Sequence, residues 1–406
     1  MCGIVATFRY ATRSPVDRDA LVDMRDCMKA RGPDDEGLWV NDGQNVGLAH
    51  RRLSVIDLSS RGAQPMANGD GSLRVVYNGE IYNYQTLRED LEDRGYRFRS
   101  DTDTEVLLHL YAEKGRDMVK RLRGMYAFTI WDADRKGLFL ARDPYGIKPL
   151  YVADTGHSFY VASQAQALRN VEDVDTSASP AGHVGYFLWG HVPEPHTLYN
   201  GIRAVPAGHA MWAGRGGVRK QQFASVSEVL SGADPAAQTS QVRVNGASRN
   251  GTASKADREA IQKELRDALL DTIQHHLVAD VDVGLFLSAG LDSATLTALI
   301  SEVTDRLRTV TLGFEVFRGT REDEVPGAER IAERYDTDHE TVWVTRHDFA
   351  DAHDDLLSAM DQPTIDGANS YFVSRAARQA GLKVALSGVG GDELFGGYPS
   401  FSQIPR

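Results

Sequence analysis

Hydrophobic positions along the chain change period several times, and each change marks an element. An apolar, β-like run, Ile4-Val5-Ala6-Thr7-Phe8, comes first. Leu21, Met24, Cys27 and Met28 then recur at helical spacing across 18–30, and Arg31-Gly32-Pro33-Asp34 closes that helix. The pattern places Cys27 on the apolar stripe, as a small core residue. Short β-like runs follow at 37–40, 46–49 and 73–77. Ser100-Asp101-Thr102-Asp103-Thr104-Glu105 reads as an acidic N-cap opening a helix, and 124–132 pairs with 138–143 across a turn at 133–137. Periodicity fades over 213–255, where Gly, Ser, Ala, Asn and Gln indicate a linker or long loop. Beyond it, Ile261, Leu265, Ala268, Leu269 and Ile273 form one helical stripe. Strand-like runs at 281–287, 308–314, 340–344 and 382–386 alternate with helical segments starting at 294, 324, 347 and 371. Such alternation predicts a parallel sheet covered on both faces, with ligands at the carboxyl ends of its strands. The chain is therefore divided into a first domain at 2–212, a connector at 213–255 and a second domain at 256–406.

Composition narrows the class. A length of 406 residues exceeds one ordinary core at about 150 residues per domain, in keeping with two domains. A net charge of −12 argues against a surface that binds nucleic acid by neutralising phosphates. Two cysteines are too few for a disulfide framework and fit a reducing, cytoplasmic setting. No run of about 20 apolar residues and no basic-then-apolar leader are present, so neither a membrane span nor secretion is expected. The histidines show no metal-ligand spacing, and no zinc is expected.

Three stretches carry chemistry. Removal of Met1 would leave Cys2 as the first residue, with its own α-amino group, of reference pKa about 7.7–8, available to take the thiol proton. Asn78-Gly79 offers either a hairpin turn or an amide and a backbone N–H converging on an oxyanion. An arginine in His50-Arg51-Arg52 can fork onto a carboxylate, and a carboxylate at Asp103 could accept from an ammonium group. In the second domain, a strand runs into Ser288-Ala289-Gly290-Leu291-Asp292-Ser293 at a helix start. There, backbone N–H groups and hydroxyls can face a phosphate, and Asp292 can hold Mg²⁺.

Cys2-Gly3-Ile4, Arg31-Gly32-Pro33-Asp34, residues 50–57, Asn78-Gly79-Glu80 and residues 142–151 together resemble the glutaminase domain of class II, N-terminal-nucleophile glutamine amidotransferases. Residues 288–293 resemble the pyrophosphate loop of ATP pyrophosphatases, and 387–398 the second signature of asparagine synthetases. The whole is similar to the glutamine-hydrolysing asparagine synthetase family. That resemblance implies an αββα sandwich followed by an α/β nucleotide-binding domain. It implies Cys2 as nucleophile, Asn78 with Gly79 as oxyanion hole, and Arg52, Glu80 and Asp103 as the glutamine clamp, with Arg51 a mere neighbour. For ATP it implies Phe286, Leu287, Ser288, Gly290, Asp292, Ser293, Leu312, Ser387 and Gly388. Ammonia would pass to an adenylated carboxylate, of aspartate or an analogue, and family members often form homodimers.

Three features depart from the pattern. Ala289 replaces the commoner glycine, which its methyl permits if φ stays negative. Val389 stands where asparagine synthetases carry a glutamate, and together with Asp361-Gln362-Pro363 it is similar to relatives that act in polysaccharide or secondary-metabolite synthesis. The family also continues past the position of Arg406, so a truncated synthetase domain, or a glutaminase uncoupled from synthesis, is the alternative expectation.

Overall fold

The computed structural model describes residues 1–12, 14–231, 255–398 and 400–403. The chain divides into two compact units, Met1–Gln241 with Asp361–Ile365, and Val242–Met360 with Asp366–Arg406. The first unit holds strands β1 (Gly3–Arg9), β2 (Asp35–Val40), β3 (Val46–Arg52), β4 (Met66–Ala67), β5 (Leu73–Ile81), β6 (Gly124–Asp132), β7 (Gly137–Arg142), β8 (Tyr151–Asp154), β9 (Ser158–Ala162), β10 (Arg203–Ala204), β11 (His209–Gly214) and β12 (Gly217–Gln222). Its helices are α1 (Arg18–Asp26), α2 (Tyr84–Asp93), α3 (Asp103–Lys114), α4 (Ala165–Arg169), α5 (Pro180–Trp189) and α6 (Val226–Leu230).

Two antiparallel sheets, ordered β10-β8-β9-β1-β3-β2 and β12-β11-β7-β6-β5-β4, form the centre. Side chains alternate across a strand, so each sheet must bury two faces. Ile4, Ala6 and Phe8 of β1 join Val76 of β5 and Ala127 and Trp131 of β6 in the layer between the sheets. Their neighbours point outward. Val5 packs with Leu21, Met24 and Met28 of the α1 region and Leu168 of α4. Val75 and Tyr77 pack with Leu87, Leu91, Val106 and Leu107 of α2 and α3. This is the αββα sandwich, and it explains why β1 and β3 are buried along nearly their whole lengths.

Three sequence expectations need correction here. Cys27 is exposed, because α1 ends at Asp26 and the buried stripe runs through Leu21, Met24 and Met28. The connector does not begin at 213: Ala213 and Gly214 finish β11, and the polar β12 pairs with it. As the edge strand of its sheet, β12 exposes Arg219 to Gln222 and shows no apolar alternation. Residues 232–254 of the predicted connector lie outside the described residues. The helix expected over 347–360 is two helices, broken at Ala352.

The second unit contains α7 (Lys255–His276), β13 (Val283–Phe286), α8 (Leu291–Ile300), β14 (Arg308–Phe314), α9 (Val325–Arg334), β15 (Asp338–Val344), α10 (Arg346–Asp351), α11 (His353–Ala359), α12 (Gly367–Gln379), β16 (Val384–Leu386) and α13 (Gly391–Phe395). Its strands are parallel in the order β15-β14-β13-β16. Leu285 packs with Ile273, Leu299 and Ile300, while Phe286 turns to Val310, Ala376 and Ala377. Strand order reverses between β13 and β16. Ligands of open parallel sheets bind at such a reversal, outside the carboxyl ends of the strands.

Candidate active sites

Cys2 lies immediately before β1, where Gly3 and Ile4 pair with Arg51 and His50 of β3. The Leu53 N–H donates to Cys2 Sγ at 3.4 Å, and Sγ lies 3.7 Å from the Leu53 oxygen. Arg31 Nε donates to the Cys2 carbonyl at 3.1 Å, so the arginine of the Arg-Gly-Pro-Asp turn holds the Cys2 backbone. Gly32 lets that turn reach β3: a Cβ there would lie 2.3 Å from the Arg51 carbonyl carbon.

Asn78-Gly79 is not a hairpin turn. Both residues lie inside β5, opposite Ala127 and Tyr126 of β6. Alternation from Val76 turns Asn78 and Glu80 toward the layer between the sheets, the side on which β1 runs. Asn78 is 1% exposed, and its Nδ2 has no hydrogen-bond partner among the described residues. A buried amide donor left unpaired carries a desolvation cost of about 1–3 kcal/mol, which a ligand oxygen can relieve. Gly79 is required for packing as well, since a Cβ would fall 2.3 Å from the Met125 oxygen.

His50 joins the two sheets beside this point, its Nε2 3.0 Å from the Tyr77 carbonyl oxygen. Arg52 ends β3, is buried, and donates to the carbonyls of Ile56, Asp57 and Ser59 at 3.3, 2.5 and 2.9 Å. Gly62 makes room for it: a Cβ would lie 2.0 Å from Arg52 Nη2. Arg51 instead pairs with Asp26 and Glu36 at 2.7 and 2.6 Å. Asp103 opens α3 but does not cap it, and neither does Asp101; the Thr102 hydroxyl accepts from the Glu105 N–H. Asp103 Oδ2 accepts from the Tyr77 hydroxyl at 2.7 Å and the Ile81 N–H at 2.9 Å.

The charges in this site constrain one another. Burial pushes the Cys2 thiol up, while the Leu53 backbone, the Met1 amine and Arg52 pull it down. Burial lowers the amine of Met1, the terminus of the unprocessed chain, to about 5. Glu80 is held well above the ordinary carboxylate range by burial and by Asp103, opposed by Lys148 and the amine. Asp103 is pushed up to about 6 by burial, against its donors.

Lys148 was not singled out by sequence. It is 7% exposed and ends a loop built from its own flanks. Asp143, fully buried, accepts from the N–H groups of Tyr145, Ile147 and Lys148, each at 3.0 Å. Arg142 donates to the carbonyls of Gly146 and Lys148 at 2.6 and 2.8 Å. The signal was present in Arg142-Asp143…Gly146-Ile147-Lys148, as a closely spaced charge pair before a glycine turn with φ of 68°.

In the second unit the loops after β13 and β16 meet. The Ser293 hydroxyl lies 3.0 Å from the Ser288 hydroxyl and 3.1 Å from the Ser288 N–H, and Ser288 Oγ accepts from the Gly290 N–H at 3.1 Å. Gly290 is the N-cap of α8 and makes no side-chain cap, so the first turn of that helix keeps donors facing outward. Ala289 is absent from the residues with positive φ, and its methyl turns toward Gly327, where a Cβ would lie 2.7 Å from it. From the other loop, a Cβ on Gly388 would lie 2.9 Å from Asp292 Cβ, and one on Gly391 would lie 2.2 Å from Asp292 Oδ2. Phe286 and Leu312 are half-buried, whereas Leu287 packs against Ala328 and Ala332 and offers only its backbone. Ser387 and Val389 are exposed, with the Val389 N–H donating to Ser387 Oγ at 3.3 Å.

Residues 1–224 match the glutamine amidotransferase domain family, and residues 264–406 match the asparagine synthase family. The glutamine-hydrolysing asparagine synthetase 1 of Bacillus subtilis is 34% identical over 98% of this chain and 59% of its own length. A putative asparagine synthetase 2 of Methanocaldococcus jannaschii is 31% identical over 98% of this chain and 76% of its own. Asparagine synthetase B of Escherichia coli is 32% identical, covering this whole chain and 66% of that protein. The chain thus spans about three-fifths of the length of the Bacillus protein. With a glutamine amidotransferase sandwich followed by a parallel-sheet synthase unit, the chain belongs to the glutamine-hydrolysing asparagine synthetase family.

Proposed function

We propose that the chain performs glutamine-dependent, ATP-dependent amide synthesis, releasing ammonia at Cys2 and delivering it to an activated carboxylate. The observation that carries the first half is the buried Asn78 Nδ2, without a hydrogen-bond partner among the described residues, on the strand face turned toward the β1 sheet. Once Met1 is removed, the amine of Cys2 takes the Sγ proton, and the thiolate attacks the side-chain amide carbon of glutamine. Negative charge on the carbonyl oxygen is received by Asn78 Nδ2 and the Gly79 N–H. The amine returns its proton to the leaving nitrogen, ammonia departs, and water hydrolyses the glutamyl thioester to glutamate and free thiol. Arg52 binds the substrate α-carboxylate, and Glu80 with Asp103 supplies negative charge for its ammonium group.

For the second half, Ser288, Gly290, Ser293 and the α8 N-terminus form the phosphate cradle, with Phe286, the Leu287 backbone, Leu312, Ser387 and Gly388 toward the nucleotide. Asp292, packed where the Gly388 and Gly391 side chains would be, suits Mg²⁺, which takes one or two carboxylates together with phosphate oxygens and would neutralise pyrophosphate charge. The acceptor carboxylate, of aspartate or an analogue, attacks the α-phosphorus of ATP and releases pyrophosphate; ammonia then attacks the carbonyl carbon of the acyl-adenylate, AMP leaves, and the amide nitrogen loses a proton. Among the described residues no helix is long and apolar enough to cross a membrane, which accords with a cytoplasmic enzyme.

Glutamate, AMP and amide product are measured with glutamine, ATP, Mg²⁺ and aspartate. All three are expected from the wild type, and loss of glutamate from Cys2→Ala. A Cys2→Ala protein that still hydrolyses glutamine overturns the assignment of the nucleophile.

A further inference from the structure

Residues 361–365 come late in the sequence but belong to the first unit. The short helix α4 has no cap of its own, since Gln164 makes no side-chain cap bond. Asp361 supplies it: Oδ2 accepts from the Ala165 N–H at 2.9 Å and Oδ1 from the Gln166 N–H at 2.8 Å. The residue between β9 and this capped turn is Ser163, fully buried, which engages both backbone polar groups of Ile4 at the beginning of β1. Its Oγ accepts from the Ile4 N–H at 3.1 Å, and its N–H donates to the Ile4 oxygen at 3.0 Å. Ile4 is two residues from Cys2. A second route reaches the nucleophile through charge. Arg31, which holds the Cys2 carbonyl at 3.1 Å, lies within the field of the Asp361 carboxylate.

The rest of the segment is fastened independently of Cys2. Gln362 Oε1 accepts from the Leu198 N–H at 2.9 Å, the Ile365 N–H donates to the Gly190 oxygen at 2.9 Å, and Thr364 bridges His191.

We propose that Asp361 is a positioning residue for glutamine hydrolysis, fixing the Cys2 end of β1 through the α4 turn and Ser163. The proposal rests on the reading of Cys2 as the nucleophile. It means that the glutaminase centre is not complete in the amidotransferase match of residues 1–224 and requires a carboxylate from the sequence of the synthase match. Asp361 touches neither the clamp formed by Arg52, Glu80 and Asp103 nor the Asn78 donor, so its loss should misplace the thiol and leave glutamine binding intact.

The test uses the full chain and steady-state glutamine hydrolysis, with peptide-level mass spectrometry of Cys2 alkylation by iodoacetamide as a second readout. Cys2→Ser comes first: unchanged activity there refutes the nucleophile reading itself, separately from the role of Asp361. With Cys2 required, Asp361→Ala is expected to lower kcat about tenfold or more and to slow Cys2 alkylation, with KM within about twofold. Asp361→Asn, which keeps one acceptor oxygen, should fall between. Gln362→Ala, which removes the bonds to the Leu198 N–H and to the Asp361 backbone carbonyl but leaves the Asp361 carboxylate in place, should stay within about twofold of wild type. Equal losses in Asp361→Ala and Gln362→Ala, or a rise confined to KM, overturn the proposal. If Asp361→Ala does not fold, Asp361→Asn decides, and wild-type kcat and alkylation in that variant count against it.

Discussion

His50 Nε2 meets the carbonyl oxygen of Tyr77 at 3.0 Å, so one imidazole ties β3 to β5 across the layer between the sheets. Both ends of this bond matter for chemistry: His50 pairs with Ile4, close behind Cys2, and Tyr77 precedes Asn78. The bond therefore sets the separation of the proposed nucleophile and oxyanion donor.

Burial lowers His50 to about 4, so it is neutral in the folded chain and takes a proton more readily when unfolded. Its contribution to stability is complete above pH about 6.5 and is lost as pH falls toward 4, amounting to about 3 kcal/mol. Asp103, raised to about 6, opposes this slope, because its proton favours the folded form. Urea unfolding of wild type and His50→Gln at pH 7 and pH 5 separates them. The variant should lose the acid-sensitive part and fall by ~1–3 kcal/mol at pH 7 through the altered Tyr77 pairing.

Asn78→Ala should reduce kcat for glutamine hydrolysis by about 10²–10³ with little change in KM, because the lost donor acts on charge that develops only in the transition state. Steady-state kinetics with glutamate detection measures both constants. A loss confined to KM would assign Asn78 to substrate binding.

Glutamine binding should weaken as pH falls. Glu80 and Asp103 are both raised, and each must be ionised to meet the substrate ammonium. KM is expected to climb as pH drops through about 6, and Lys148→Met should move that rise to higher pH, since Lys148 favours the ionised form of Glu80. KM measured from pH 5 to 8 for the two proteins checks the direction of the displacement.

Gly391→Ala should abolish most ATP-dependent AMP release and leave glutamine hydrolysis near wild type. A methyl there would lie 2.2 Å from Asp292 Oδ2, so the carboxylate must leave its place beside the α8 turn. Parallel assays of AMP and glutamate show whether the damage stays in one unit.

Much of the sandwich and the parallel sheet was legible in the chain because burial leaves a local record. The expected strand at 308–314 coincides with β14, and Leu21, Met24 and Met28 are all buried. Where burial was one-sided or absent the record failed: β12 carries polar side chains at a sheet edge, and Cys27 continues an apparent stripe past the end of its helix.

By itself, the sequence determined which groups are available for chemistry, a thiol at position 2, an Asn-Gly pair, two small-residue loops after strands, and which segments alternate with period two or turn with period 3.6. Only the tertiary structure decided that Asn78-Gly79 lies within a strand, that Arg52 threads past Gly62, that Asp292 rests on Gly388 and Gly391, and that Asp361 caps α4 beside the strand that follows Cys2. The reason is physical: periodicity reports how each segment meets water, whereas these pairings join residues remote in the chain, and no local pattern encodes which distant backbone a side chain will reach.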